Sequence, residues 1–322
     1  LELFVNDIPI KPYCDRGIKL VEKPVSTRVD FRKKIALRSG MNRIRIKAVN
    51  ISGLYSEEIL RIQYVEKRKH IWAVVIGINN YPHVRKLKYA VNDAKLFYDY
   101  LVTYNHVPSK HVTLLLDQDA SLARIRSVLG TYLKKKASKQ DMVIIFFAGH
   151  GALEKDSRSL DGDGLEKYIL PYNANPNDLY ATALPMGEIS RIFRRIQSER
   201  LVFIADTCYS GAAGGRTIDL AGIRSHISDS FLDRVSGKGR VIITASGANE
   251  VSVERNELQH GVFTYYLVKA LKGAADSDSD GLLALDEVFT YLSKQVPRAT
   301  GQQQHPVKKG VMEGRLILGV AE

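Results

Sequence analysis

The stretch MVIIFFAGHG, residues 142–151, is a run of apolar residues that ends in a histidine between two glycines. A continuous apolar run of this length is typical of a strand covered on both faces, as in the centre of a parallel sheet. The stretch LVFIADTCYSG, residues 201–211, repeats the pattern and leads to a cysteine beside small residues. The two stretches predict buried strands of one sheet, each followed by a chemically reactive side chain.

Apolar runs and amphipathic stretches alternate on either side of these strands. Further strands are predicted over 71–77, 111–116 and 240–245, and residues 316–318 are expected to close the sheet. Helices are predicted around 94–101 and over 121–137, 187–197 and 262–270. This order predicts the α/β fold class, with an open, mostly parallel sheet, right-handed crossovers and flanking helices. Sites in such sheets form beyond the carboxyl ends of the strands.

His150 and Cys208 follow two of these strands, so we expect both residues at the same edge of the sheet. A thiolate is the reactive form of cysteine, and a neighbouring imidazole lowers the thiol pKa and later protonates the leaving amine. Taken singly, the cysteine fits a core residue and the histidine fits a turn residue. Their joint placement favours a catalytic pair with Cys208 as the nucleophile.

The composition limits the other classes of function. The 322 residues suggest two domains, and no apolar run reaches the ~20 residues that a membrane-spanning helix needs. The two cysteines, Cys14 and Cys208, cannot build a disulfide framework, and the spacings that hold structural zinc are missing. We interpret Cys14 as structural. We expect the native chain to start upstream of Leu1, so the compartment stays open, with the cytoplasm favoured.

Residues 1–66 differ in pattern from the rest of the chain. Apolar and polar residues alternate over 41–49 and 59–65, between turns rich in Asn, Ser and Gly. We expect an immunoglobulin-like β-sandwich here, joined by a charged hinge to an α/β domain over 70–322. The net charge is +12, but the basic residues alternate along strands without interleaved aromatic residues. Nucleic-acid binding is therefore not favoured.

Several segments together resemble the superfamily of caspases, metacaspases, legumains and gingipains, with the histidine some fifty residues upstream of the cysteine. They are "WAVVIGINNY", "LKYAVNDAKLFYDYL", "FFAGHG", "IADTCYSG", "EKYILPYNA" and "TASGANEVSVE…HGVFTYYLVKAL". The resemblance covers about residues 70–320, and among subfamilies it is closest to the bacterial metacaspase-like proteins, the orthocaspases. One departure is Tyr209, where metacaspases commonly have His.

This resemblance implies a caspase-like fold and a cysteine endopeptidase. Cys208 would attack the scissile carbonyl, and the backbone N–H groups of Gly151 and Cys208 would stabilise the oxyanion. The chemistry itself would require no cofactor. A protein or peptide would be the substrate, and upstream domains or a regulatory protein would be the candidate partners.

Asp206 indicates the preference for the residue before the cleaved bond, P1. Caspases have Gln at this place and select acidic residues, whereas in metacaspases the matching aspartate lines the S1 pocket. The second S1 aspartate of metacaspases is matched by Asp93 in "AVNDAK". Two carboxylates in a confined pocket would bind Arg, bidentately, in preference to Lys. For Asp93 the alternative is an acid that interacts with the dipole of a helix N-terminus.

The segment 212–239 carries arginines in a region rich in Gly and polar residues. In the superfamily this is where the large and small subunits separate, so a peptidase specific for basic residues could cut itself here. Arg216 and Arg224 are the candidate cleavage sites in what would be a zymogen. The alternative is an ordinary active-site loop.

Residues 276–287, DSDSDGLLALDE, match the pattern of a calcium-binding loop. The predicted ligands are Asp276, Asp278, Asp280, the backbone carbonyl of Leu282, and Glu287. The pattern occurs once, and its ninth position is Ala284, so an acidic helix-capping loop is the alternative. A shorter acidic stretch at 161–164 is a second candidate ion site.

The leading hypothesis is thus an endopeptidase that cleaves after basic residues, accompanied by a β-sandwich module. The first alternative is a catalytically idle caspase-like scaffold for protein–protein interaction. The second is a different cysteine enzyme on an α/β sheet, although no G-x-S-x-G elbow or phosphate-binding loop supports another chemistry.

Overall fold

The computed structural model describes residues 2–10, 35, 37, 40–50, 52–64, 69–157, 164–208, 239–246, 250, 252–311 and 314–321. The chain divides into two compact units, Leu1–Arg68 and Lys69–Glu322. Cys14 lies outside the described residues.

The first unit contains an antiparallel sheet in the order β2-β1-β3-β4. Its strands are β1 (Glu2–Val5), β2 (Ile8–Pro9), β3 (Gly40–Val49) and β4 (Tyr55–Tyr64). The predicted alternation is seen in β3, where Asn42 and Ile44 are buried while Met41 and Arg43 are exposed. The antiparallel arrangement follows the prediction of β-structure, and the immunoglobulin-like sandwich remains a prediction.

The second unit is built on a sheet in the order β15-β11-β10-β7-β5-β6. All neighbouring pairs are parallel except β11 with β15. The strands are β5 (Ile71–Gly77), β6 (Val112–Leu116), β7 (Met142–Lys155), β10 (Arg200–Cys208), β11 (Arg240–Thr244) and β15 (Val307–Val311). This mostly parallel sheet confirms the predicted fold class.

Helices cover both faces of this sheet. They are α1 (Ala90–Asp99), α2 (Leu122–Ser127), α3 (Leu133–Lys136), α4 (Leu179–Thr182), α5 (Met186–Arg195), α6 (Val262–Lys269) and α7 (Leu285–Ala299). Alternate residues of one strand enter different cores: Val74 and Ile76 pack on one side, and Ala73 and Val75 on the other. Burial on both faces explains why the strand reads as an unbroken apolar run.

Residues 316–318 were expected to close the sheet, and this expectation is wrong. They lead into β16 (Ile317–Val320), which pairs with β14 (Leu282–Ala284) in a separate two-stranded sheet. The edge of the main sheet is instead closed by β15, whose strand Val307–Val311 contains two lysines among its five residues. An edge strand is half exposed and does not need a continuous apolar run, so its pattern is weak.

Strand β7 changes partner near its middle. Up to His150 it pairs in parallel with β10, and from Gly151 onward it pairs antiparallel with β8 (Leu165–Ile169). Strand β8 in turn pairs with β9 (Leu184–Pro185). A short hairpin of β12 (Glu254–Arg255) and β13 (His260–Gly261) lies ahead of α6. The point at which β7 changes partner is the carboxyl edge of the parallel sheet.

Candidate active site

His150 and Cys208 form the last residue pair of the parallel ladder between β7 and β10. The two backbones therefore lie directly side by side at the carboxyl edge of the sheet. A separation of 58 positions in sequence becomes a single ladder step in the fold. A nucleophile and its acid–base partner must lie within reach of each other, and adjacent backbones satisfy the first condition for this.

The imidazole of His150 is held by a backbone carbonyl. The side chain is buried, and its Nε2 lies 2.7 Å from the carbonyl oxygen of Arg85. Because a carbonyl only accepts, Nε2 carries a proton in this arrangement and Nδ1 is the basic nitrogen of the neutral ring. Burial lowers the pKa of His150, and the hydrogen bond to Arg85 opposes this by favouring the charged ring.

Asn79 fixes the loop that presents the Arg85 carbonyl. Its backbone oxygen accepts from the Leu87 N–H at 3.0 Å, and its side-chain amide donates to the Lys88 carbonyl at 3.0 Å. Its Oδ1 accepts from the Val91 N–H in the first turn of α1. The loop is thus tied at both ends to β5 and α1.

The N–H of Gly151 is directed away from β8. Leu170 donates its N–H to the carbonyl of His150 at 3.0 Å, which makes Gly151 and Ile169 a pair without mutual hydrogen bonds. Backbone groups alternate sides along an extended strand, so the Gly151 N–H lies on the opposite side of β7, where β10 ends at Cys208. The two N–H groups predicted to form an oxyanion hole therefore belong to adjacent strands at this edge.

A cavity of about 230 Å³ opens beside His150. Its wall includes both aspartates that were assigned to substrate binding, Asp93 and Asp206, together with Ser252, Glu254 and Gly261. The acidic side chains come from α1, from the end of β10 and from β12. Arg85, Lys86 and Lys88 also line the cavity, so three acidic residues face three basic residues next to the histidine.

Asp206 is buried and its two carboxylate oxygens accept hydrogen bonds from different hydroxyls. Ser252 Oγ donates to Oδ1, and Thr264 Oγ1 donates to Oδ2 at 2.6 Å. Burial raises the pKa of Asp206, and these hydroxyl bonds oppose the rise. Among the described residues, no cation forms a salt bridge with this carboxylate.

Asp93 reaches the same cavity from the first turn of α1. It is 3% exposed, and it accepts from the Gly261 N–H at 3.1 Å and contacts His260 Nδ1 at 2.9 Å. Burial and, to a smaller extent, the charge of Asp206 raise the pKa of Asp93 to about 7, although the hydrogen bonds with His260 and Gly261 oppose the rise. The alternative role for Asp93 was an acid near a helix N-terminus. This role fits the position of Asp93 on α1, but its hydrogen bonds are made with residues of β13.

Sequence patterns do not reveal several residues of the site. Glu254 accepts from the N–H groups of Lys88 and Tyr89, and it lines the same cavity as Asp93 and Asp206. The Arg85 carbonyl acts through its backbone, so the residue type gives no indication. Glu254 could have been suspected because it lies in the segment 244–254 that resembles the superfamily, but its contact with residues 88 and 89 spans more than 160 positions.

The acidic loop 276–287 lies at a distance in sequence from this pocket. Carboxylate oxygens of Asp276, Asp278 and Glu287 lie within 4.8 Å of one another. Oδ1 of Asp276 is buried without a hydrogen-bond partner among the described residues. These features fit a cation, but the guanidinium of Arg315 already bonds to Glu287 at 3.0 Å and to Asp278 and Asp280.

Other predicted residues lie outside the described part of the chain: Tyr209, Arg216, Arg224 and the acidic stretch 161–163. Within the described residues, no helix is both long and apolar enough to span a membrane.

The chain is similar to several known proteins. A model of the caspase domain, peptidase family C14, matches residues 70–315. Metacaspase-1 of Candida glabrata is 25% identical over 165 residues, which cover 47% of this chain and 39% of that protein. Metacaspase-4 of Arabidopsis thaliana is 28% identical over 147 residues, covering 43% and 33%. The chain thus spans well under half the length of either relative.

Solved structures show the same fold. Caspase-1 from Spodoptera frugiperda superposes with a TM-score of 0.51 at 12% identity, over 79% of this chain and 91% of that one. Protein GSU0716 from Geobacter sulfurreducens gives 0.53 at 16% identity, over 79% and 100%. The caspase-like fold expected from the sequence is confirmed, and closeness to bacterial orthocaspases remains a prediction.

Proposed function

The chain belongs to the caspase-domain family of cysteine peptidases, and from this premise we propose that it is an endopeptidase that cleaves after arginine and, less readily, after lysine. The observation that carries the preference is the convergence of two buried carboxylates, Asp93 and Asp206, in the cavity beside His150. Buried charges require partners, and no cation pairs with Asp206 among the described residues, whereas Asp93 has His260 Nδ1 at 2.9 Å. A guanidinium from the substrate supplies the missing charge.

The proposed reaction uses Cys208 and His150 as a dyad. Nδ1 of His150 takes the thiol proton, and the thiolate attacks the carbonyl carbon of the scissile peptide. The N–H groups of Gly151 and Cys208 stabilise the oxyanion that forms. The C–N bond then breaks, the imidazolium gives its proton to the leaving amine, and water activated by His150 hydrolyses the thioester.

The arrangement around His150 supports this sequence of proton transfers. The Arg85 carbonyl accepts Nε2–H in both charge states of the ring, so the imidazole keeps one orientation while Nδ1 gains and loses a proton. The charge of Glu254 also favours the imidazolium. Both effects offset the cost of burying a charged ring.

Arginine is preferred over lysine because of its shape. The guanidinium presents several N–H donors in a plane and can bond to two carboxylates at once. An ammonium acts as a compact point charge that is more strongly hydrated and therefore costs more to dehydrate. The oxygens of Asp93 and Asp206 face one cavity from different elements, which suits a forked donor.

Hydrolysis of fluorogenic peptides with Arg, Lys, Asp or Leu at P1 tests the proposal. Wild type, Cys208→Ala, His150→Ala and the control Cys14→Ala are compared, each with calcium and with chelator. Turnover of the Arg peptide that is lost in the first two variants and kept in the third supports it. Turnover of the Asp peptide contradicts the pocket assignment, activity in Cys208→Ala contradicts the nucleophile, and inactivity on every peptide favours the scaffold.

We further propose that the enzyme processes itself after Arg216 or Arg224, because a peptidase specific for arginine meets these residues within its own chain. Intact-mass measurement of purified wild type, Cys208→Ala and an Arg216→Gln, Arg224→Gln double variant tests this. Fragments that end at either arginine are expected for wild type alone. The same fragments from Cys208→Ala would point to a contaminating peptidase.

Calcium is proposed as a ligand of the loop 276–287, outside the chemistry of the dyad. Asp276, Asp278 and Glu287 would supply carboxylate oxygens, and Leu282 would supply its carbonyl. Ala321 donates to the Gly281 carbonyl, so the Leu282 carbonyl points away from β16 and toward the loop. Arg315 would have to leave the carboxylates that it now contacts.

A further inference from the structure

Tyr81 places a buried hydroxyl directly behind His150. The residue is 2% exposed and follows β5 by four positions. Its hydroxyl accepts the N–H of His150 at 2.9 Å and donates to the carbonyl of Leu170 at 3.1 Å. Its ring centre lies 5.0 Å from that of the imidazole. One side chain thus contacts both the backbone and the ring of His150.

The need for this hydroxyl arises from the change of partner along β7. Strand β5 ends at Gly77, which pairs with Ala148, and β8 begins to pair with β7 at Gly151. The N–H of His150 falls between the two ladders and has no strand to receive it. A buried N–H without an acceptor destabilises the fold. The Tyr81 hydroxyl supplies that acceptor.

The position of Tyr81 is itself fixed by a carboxylate. Oδ1 of Asp117 accepts from the N–H groups of Asn79 at 2.8 Å and Asn80 at 2.9 Å. Its Oδ2 accepts from the side-chain amide of Asn80. These bonds anchor the segment between β5 and Tyr81, so the ring enters the core at a defined angle.

Gly149 allows the hydroxyl to approach. A Cβ on Gly149 would lie 2.6 Å from the Tyr81 hydroxyl oxygen, which is too close for any real contact. The glycine before His150 is therefore required by the side chains of Tyr81 and Phe147.

We propose that Tyr81 is a positioning residue for the reaction, holding His150 so that Nε2–H meets the Arg85 carbonyl and Nδ1 remains available to take the thiol proton. This inference rests on the proposed dyad. Tyr81 touches no reacting atom and acts through His150. Without its hydroxyl, the junction keeps its apolar packing, but the His150 N–H and the Leu170 carbonyl each lose a partner.

Tyr81→Phe tests the proposal, with Tyr100→Phe as the matched control. Tyr100 is also 2% exposed, and its hydroxyl has no partner among the described residues. Tyr81→Phe should lower kcat on the Arg peptide about ten- to a hundredfold with little change in KM, because small displacements of a catalytic group are costly. It should also raise the pH at which iodoacetamide alkylates Cys208, because a displaced imidazolium no longer favours the thiolate. Tyr100→Phe should change neither quantity.

The outcomes separate positioning from a purely structural role. A lower melting temperature in Tyr81→Phe with unchanged kcat and an unchanged alkylation profile would overturn the proposal. If Tyr81→Phe does not fold, amide hydrogen exchange of wild type decides: a rapidly exchanging His150 N–H contradicts the bond. Activity that survives in Cys208→Ala would refute the proposed function instead, so the two failures are distinguishable.

Discussion

Asp93 and Asp206 meet across the bare Cα of Gly261. A Cβ on that glycine would lie 2.8 Å from Oδ2 of Asp206 and 3.0 Å from Oδ2 of Asp93. The two carboxylates, 113 positions apart in sequence, thus converge on one point. Each charge raises the energy of the other, so their ionised forms are favoured when a cation lies between them. This relationship leads to three predictions about substrate choice.

Asp206→Asn should abolish recognition of basic residues while preserving the shape of the pocket. We expect kcat/KM on the Arg peptide to fall by about a hundredfold, because the substrate cation would enter a buried site without its partner. Asp99→Asn is the control, since Asp99 is exposed at the far end of α1. A loss of less than about threefold in Asp206→Asn would exclude a direct contact with P1.

Recognition of arginine should weaken as the pH falls below about 7. The pKa of Asp93 is raised to about 7, so the carboxylate is ionised above this pH and gains a proton below it. The pH profile of kcat/KM on the Arg peptide should therefore show an inflection near pH 7 that belongs to the free enzyme. Asp93→Asn should remove this inflection. If the variant retains it, another group is responsible.

Gly261→Ala should lower both the stability of the protein and its binding of Arg peptides, although it adds only one methyl group. The added methyl group would occupy the space between the carboxylates and displace the N–H that now bonds to Asp93. We expect the variant to be destabilised by about 1–3 kcal/mol and to bind Arg peptides more weakly. Thermal unfolding and KM measure the two effects. Gly130→Ala is the control, because its φ is not positive and the nearest neighbour of an added methyl group would lie 3.9 Å away.

Arg315→Gln should tighten calcium binding to the loop 276–287. Arg315 neutralises carboxylates that a calcium ion would use, so its removal leaves them available and raises the negative charge of the loop. We expect calcium affinity to rise about tenfold in a titration followed by calorimetry, as ligand charge sets the affinity of such loops. The exposed Arg298 of α7 provides the control Arg298→Gln. Equal affinity in wild type and Arg315→Gln would contradict competition for the same carboxylates.

Sequence patterns predicted the central strands and the edge that carries the site, for a physical reason. Strands β5, β7 and β10 are buried on both faces, so burial dictates each residue and the apolar runs are unbroken. The ends of parallel strands then share one edge, which places His150 beside Cys208 without further information. These inferences depend on local pattern alone.

The supporting contacts could not be predicted in this way. In the sequence, Tyr81 has the pattern of an aromatic core residue. Arg85 contributes its backbone carbonyl, which every residue type has. Glu254 contacts residues that are far away in sequence. Each role exists only once the chain has folded and brought distant segments together. The wrong assignment of 316–318 has a related cause, because a short apolar run does not reveal which of two sheets it joins.

Because β7 changes partner at the site, the site depends on whether an odd or an even number of residues is inserted or deleted ahead of it. His150 directs its N–H and carbonyl toward Tyr81 and Leu170, and Gly151 directs its N–H to the other side. Inserting or deleting one residue between Met142 and Gly151 would exchange these directions, so the N–H proposed as an oxyanion donor would face β8 and the N–H that now bonds to Tyr81 would face β10. Substitutions in this strand change packing by degrees, whereas a shift of one residue reverses the site. Only changes in steps of two would return each group to its side.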